Sequence, residues 1–211
     1  MMNHKIIEDY LDELFPNPKC ELNYNKDYEL LIATVLSAQT TDKRVNEVTK
    51  ILFNKYDDLY KLRNADIADI KEIIKPIGMV NKKSIFIKEI ASFLLDNSNG
   101  VVLNDEKFLT SIPGVGRKTS NVVRSNLFEY PAIAVDTHVT RVSKRLNIAK
   151  EKDDVLTIEK KLMKYFPKEK WSRLHHQLVL FGRYYCKAKS PECINCKLSN
   201  ICVYKNKSKS M

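Results

Sequence analysis

The chain has 211 residues, 44% of them hydrophobic, and its 36 lysines and arginines outnumber 26 aspartates and glutamates to give a formal net charge of +10. That length and apolar content suit one large or two small globular domains with sizeable cores, and they exclude a disordered chain. No run of about 18 apolar residues occurs, which excludes a helical membrane span, and the early acids of the N-terminus are not those of a signal peptide.

Apolar residues recur at i, i+3 and i+4 and few segments alternate with period two, so the fold class reads as all-α. A first helix is expected over about His4–Phe15, ended by Pro16-Asn17-Pro18. Asp27 is a cap for a largely apolar, and therefore central, helix over Tyr28–Ser37. Asp42 is placed to cap the next, which runs to Lys55. A shorter helix spans Ile67–Ile74 and breaks at Pro76-Ile77-Gly78. Asn81 opens Lys82–Asp96, closed by Asn99-Gly100. Helical stretches then flank a glycine turn near residue 114, and three more follow at Asp136–Leu146, Val155–Tyr165 and Trp171–Cys186. Lys205–Lys209 reads as a disordered tail.

The charge is local. Residues 117–145 carry +4 and residues 187–211 carry +5, a distribution that suits a polyanionic partner. In the first of these stretches, Pro113-Gly114-Val115-Gly116 between two helices forces a tight reversal, and backbone N–H groups are bared at the start of the second helix. Such a turn either serves packing alone or forms a nest for a phosphate, with Arg117 and Lys118 directly behind it. Lys118, in the first turn of a helix beside another cation, sits where the charged form is disfavoured, and removal from water would leave more free amine to attack carbon. Asp136 follows an apolar approach and opens a helix, so an N-cap role is its simplest reading.

Four of the five cysteines, Cys186, Cys193, Cys196 and Cys202, form a C-x6-C-x2-C-x5-C pattern. Thiolates at this density in a chain read as cytoplasmic call for a soft metal, either zinc or an iron–sulfur cluster, ahead of disulfides. Cys20 stands apart and reads as a small hydrophobe. His138, His175 and His176 are assigned no role.

Four signals, in order over roughly residues 28–204, resemble the endonuclease III family of DNA glycosylases. They are Leu36-Ser37-Ala38-Gln39-Thr40-Thr41-Asp42, Ile112-Pro113-Gly114-Val115-Gly116-Arg117-Lys118-Thr119, Val135-Asp136-Thr137-His138 and the cysteine pattern. The resemblance implies two helical domains flanking a DNA-binding cleft. One is a six-helix domain over 20–131, with a helix-hairpin-helix at about 105–128. The other joins 1–19 to 132–211 and carries a [4Fe–4S] cluster on the loop 186–202. Lys118 and Asp136 would face each other across the cleft.

The resemblance also implies roles. Gln39 enters the gap left by an extruded nucleotide. Met79 falls where relatives often have a leucine wedge; it reads equally as a loop methionine. Pro113, Gly114, Val115, Gly116 and Arg117 contact DNA through the hairpin, and Lys187 and Lys189 reach phosphates from the cluster loop. The implied enzyme is a bifunctional glycosylase that removes oxidised or damaged pyrimidines. Lys118 attacks C1′ to form a Schiff base, Asp136 assists, and β-elimination cleaves the strand. The partner would be double-stranded DNA with damaged bases or abasic sites, and the protein a cytoplasmic, nucleoid-associated monomer.

Related readings fit less well. Adenine glycosylases lack the lysine and need a glutamate where Ala33 stands; thymine-mismatch glycosylases often carry tyrosine in place of Lys118. From a different class, a non-catalytic iron–sulfur module that only binds DNA would use Lys118 as a phosphate contact.

Overall fold

The computed structural model describes residues 3–204. Every regular element among them is helical: α1 (Asn3–Leu14), α2 (Asp27–Leu36), α3 (Asp42–Lys55), α4 (Leu59–Asn64), α5 (Ile67–Ile74), α6 (Val80–Ser98), α7 (Glu106–Ser111), α8 (Arg117–Phe128), α9 (Thr137–Arg145), α10 (Val155–Tyr165) and α11 (Trp171–Tyr184). Short 3-10 turns lie at Lys75–Ile77 and Lys168–Lys170. The expected tail at Lys205–Lys209 lies outside the described residues.

Helix α4 is additional to the sequence expectation. It is only six residues long, too short for a periodic signal, and Asp58 caps it by accepting from Lys61 N–H at 2.6 Å. Three starts are corrected. Thr41 rather than Asp42 caps α3, accepting from Arg44 N–H. Asp27 is the first residue of α2, not its cap; Glu29 reaches back to accept from the amides of Asn25 and Lys26 at 2.7 and 3.3 Å. Asn81 lies inside α6, which begins at Val80 directly after Met79.

Two compact units divide the chain: Cys20–Phe128 is one, and the described residues up to Lys19 with those from Glu129 onward form the other. In the first, α2 is the hub. Its Leu30, Leu31, Ile32, Ala33 and Leu36 are fully buried, and it packs on α3, α6 and α8. A helix apolar on all sides can only be central. Val45, Leu52, Leu62, Ile70, Ile74, Ile87, Ile90 and Leu94 complete this core, and Cys20 packs at its edge as a small apolar group.

The second unit is built on α11, which packs against α9 and α1. Gly182 lies at the α9 crossing, where an added Cβ would stand 2.8 Å from Cβ of His138. Asp12 ties α1 to α11 by accepting from Arg173 Nε at 2.7 Å and Gln177 Nε2 at 2.8 Å. Ile7, Leu11, Ile133, Val139, Val142, Ile158, Leu162 and Leu178 fill the core between them.

His176 on α11 gives this unit a pH dependence. Burial lowers its pKa to about 4, below the ordinary histidine value near 6.5. The neutral ring therefore contributes its full stabilisation above about pH 6.5, and the contribution is lost as pH falls through 4. Between pH 7 and 5 we expect a loss of about 2 kcal/mol. Urea midpoints of the parent and His176→Gln check it: the variant should lose less stability over that interval.

Candidate active site and cysteine loop

The reversal between α7 and α8 is built by two different glycines. Gly114 has φ +81°, and a Cβ there would meet the Phe86 ring at 2.8 Å, so both backbone and packing demand glycine. Gly116 has neither constraint: a Cβ would meet nothing within 4 Å. The protein's own packing does not require glycine at 116, which leaves room for an outside group to approach the backbone. Ser120 N–H makes the first α8 bond, to Gly116 O at 2.9 Å, so the amides before it have no acceptor within the helix.

Val115 is 6% exposed, its side chain belongs to the core, and its N–H is already donated to Ile112 O at 3.0 Å. Lys118 is the second residue of α8 and is exposed, so the free protein does not itself desolvate its amine. Arg117 is paired with Glu106 at 2.6 Å. Glu106 also meets Arg124, which is 7% exposed and donates to Asn104 Oδ1 at 3.0 Å.

Other cations of 117–145 have internal partners as well. Besides Arg117 and Arg124, Lys144 meets Glu151, and Arg141 and Arg145 are committed to the cysteine loop. Net charge counted along a sequence overlooks such internal partners.

Asp136 is the N-cap of α9, as its position predicts: Oδ1 accepts from Val139 N–H at 2.8 Å. Ala132, Ile133, Ala134 and Val135 ahead of it are all buried, so the cap is delivered by a fixed strap of backbone. His138 is the second residue of α9, with Nδ1 3.2 Å from the Arg141 guanidinium.

Gln39 and Met79 share an unexpected property. Both are exposed and both hold positive φ, +57° and +50°, although neither is glycine. Backbone of this kind costs on the order of 1–3 kcal/mol per residue and persists only where neighbours hold it. Gly78, just before Met79, has φ +68° and ψ 172°, a region open essentially to glycine alone.

The cysteine loop follows α11. Cys186, Cys193, Cys196 and Cys202 line one pocket together with Tyr10, Phe181, Tyr185 and Leu198. Among the described residues no three His, Cys, Asp or Glu side chains are gathered as they would be around a single metal ion. Arg145 donates to Cys186 Sγ at 3.2 Å and to Lys187 O at 2.8 Å, and its guanidinium lies 3.9 Å from the centre of the Tyr204 ring. One turn earlier on α9, Arg141 donates to Gly182 O at 2.6 Å and Cys186 O at 3.0 Å. Tyr204 N–H points at Cys202 Sγ, 3.5 Å away. Burial pushes the Cys186 thiol up, with Arg145 opposing, and burial pushes Cys196 up as well. Lys187 is paired with Glu192 at 2.9 Å, and Lys189 is exposed.

The sequence reading missed Arg141, Arg145 and Tyr204 as supports of this loop. The i, i+4 spacing of the two arginines at the end of a helix was the available signal, read there as surface charge. It also missed Lys83, which is 2% exposed. Lys83 falls on the same α6 stripe as Ile87, Ile90, Ala91 and Leu94, where the helical period calls for an apolar residue.

Residues 32–168 match the family described as HhH-GPD superfamily base excision DNA repair protein. The endonuclease III of Bacillus subtilis (strain 168) is 47% identical over 205 residues, which cover 96% of this chain and 94% of that one. A solved endonuclease III in a trapped covalent intermediate with DNA is 46% identical, with TM-score 0.91 over 99% of both chains. A non-covalent endonuclease III–DNA complex, also 46% identical, gives TM-score 0.92 over 99% of this chain and 98% of that one.

Proposed function

This chain belongs to the endonuclease III family within the HhH-GPD superfamily of base excision repair proteins, and from that premise we propose that it excises oxidised pyrimidines from duplex DNA and then cleaves the strand at the abasic site. The observation that carries the reading is Lys118: an exposed primary amine immediately behind a glycine turn whose helix-start amides have no acceptor within the helix. Adenine-type and thymine-mismatch glycosylases are disfavoured by Ala33 and by Lys118 itself.

In this mechanism the hairpin holds a phosphate at the Gly116 backbone and the α8 amides, which sets the register of the strand. Arg117 joins that contact by exchanging Glu106 for phosphate. The damaged nucleotide is extruded, Gln39 fills the vacated place opposite its partner, and Met79 wedges the stack. Enclosure by DNA removes water from Lys118, which lets the uncharged amine attack C1′ as the base leaves. The product is an iminium with the sugar ring opened. A water molecule then takes a C2′ proton, the 3′ phosphate leaves with its bonding pair by β-elimination, and hydrolysis of the imine frees Lys118. Asp136 takes the amine proton and stabilises positive charge developing on the sugar.

The donor set of the loop fits a [4Fe–4S] cluster held by Cys186, Cys193, Cys196 and Cys202. Four thiols around one pocket offer one ligand per iron, and N–H donors already point at two of the sulfurs. When bound, the cluster cross-links a segment too poor in apolar residues to fold alone. Lys187 and Lys189 are then presented to phosphate by an ordered loop. The protein works where its substrate is, on the nucleoid in the cytoplasm.

The test is a panel of duplexes bearing single oxidised pyrimidines, scored for released base and for strand cleavage. Release with cleavage is expected; release without cleavage would favour a monofunctional enzyme, and binding without either would leave only a DNA-binding module. Asp136→Asn separates capping from chemistry in the same assay. Asparagine caps a helix as well as aspartate, so stability should change by less than about 1 kcal/mol. Single-turnover excision should nevertheless fall about a hundredfold.

A further inference from the structure

Lys83 is among the largest fully buried side chains of the protein. Its ammonium donates to Ala38 O at 2.9 Å, Thr40 Oγ1 at 3.1 Å and Ile77 O at 3.1 Å, so all three of its protons are used. The Thr40 hydroxyl in turn donates to Ile77 O at 2.8 Å. Ala38 and Thr40 flank Gln39, and Ile77 lies two residues before Met79. One buried cation therefore closes a link between the two turns that hold the exposed, positive-φ residues Gln39 and Met79. Burial of a lysine without an acidic partner is costly, and burial lowers its pKa. Three oxygen acceptors converging on it make the site a built one.

We propose that Lys83 is a positioning residue for nucleotide extrusion, its ammonium holding the Gln39 turn and the Met79 turn as one rigid element so that both side chains enter the duplex together. This rests on the reading above, in which those two residues occupy the opened stack. The physical gain is that the strained conformations are fixed before DNA arrives, so ordering two separate loops does not add to the barrier. The amine of Lys83 touches only protein oxygens, and it has no part in bond making at the sugar.

The experiment compares two rates in Lys83→Met, which keeps the volume and removes the donors, and in Thr40→Val, which cuts one strut and leaves the ammonium its two carbonyl acceptors, Ala38 O and Ile77 O. The first rate is the stopped-flow fluorescence rise of 2-aminopurine beside an oxidised pyrimidine in duplex DNA, which reports stack opening. The second is cleavage of a single-stranded abasic oligonucleotide, which has no stack to open and needs only the reactive amine. We expect Lys83→Met to slow the fluorescence rise at least about tenfold while single-strand cleavage falls less than about twofold, with Thr40→Val between parent and Lys83→Met.

If both variants lose the two rates in parallel, Lys83 is a support of the fold and the inference is overturned. If Lys83→Met does not fold, the same two rates in Thr40→Val decide. Gln39→Ala and Met79→Ala in the parent tell the failures apart. Should both leave the fluorescence rise unchanged, the reading that these side chains enter the duplex falls. Should they slow it while Lys83→Met and Thr40→Val do not, the link alone is wrong.

Discussion

Lys118→Gln is expected to abolish borohydride-trappable complex with a damaged duplex and to lower strand cleavage by at least about a thousandfold, as loss of a covalent nucleophile does elsewhere. Glutamine keeps a flexible polar side chain, one atom shorter and uncharged, and has no nucleophilic nitrogen. Lys118 is exposed near the start of α8, so the substitution removes no core packing and should leave the melting temperature close to that of the parent. Affinity for damaged duplex should fall by no more than about threefold, with the slope of log affinity against log salt shallower by at most about one unit. A phosphate-holding lysine predicts the reverse pattern: affinity drops while cleavage at saturating enzyme survives. Denaturing gels after reduction, together with binding titrations at two salt concentrations, separate the two.

Cys196→Ser should have the second largest effect, on the integrity of the second unit. The thiol lines the pocket shared with the other three cysteines. Iron content should drop together with visible absorbance, and the apparent melting temperature should fall by about 10 °C or more. Limited proteolysis should open new sites between Cys186 and Tyr204, because Arg141 and Arg145 cannot alone hold a segment of so few apolar residues. If Lys187 and Lys189 reach phosphate as proposed, DNA affinity should also weaken with a shallower salt slope. A variant that loses iron yet keeps its proteolytic pattern would show that α9 holds the loop without the metal.

Much of this molecule is legible in its sequence. The helical period located most helices within a few residues, and Asp136 could be read as a cap because capping is local chemistry. Asp27 and Asp42 were misplaced by one position for a comparable reason: each helix starts one residue earlier than the aspartate suggests, after Lys26 and Thr41 in extended backbone, and only backbone angles show this. The pairing of Arg117 and Arg124 with Glu106 joins residues 11 and 18 positions apart. Charge counting has no means of seeing that. Lys83 was hidden differently. Among 36 basic residues a lysine reads as solvated surface, and its meaning emerges only once α6 brings it under two turns some 40 residues apart in the chain.

The discontinuous second unit has a consequence for how the protein is made. Helix α1 leaves the ribosome long before its packing partner α11, which begins at Trp171. At about 5–20 residues per second, the apolar face of Ile7, Tyr10 and Leu11 waits on the order of ten seconds or longer for that partner. During this interval the intervening unit, contiguous in sequence, can fold by itself. The nascent chain thus carries a finished domain between two halves of an unfinished one, and α1 is the segment most in need of a chaperone's cover.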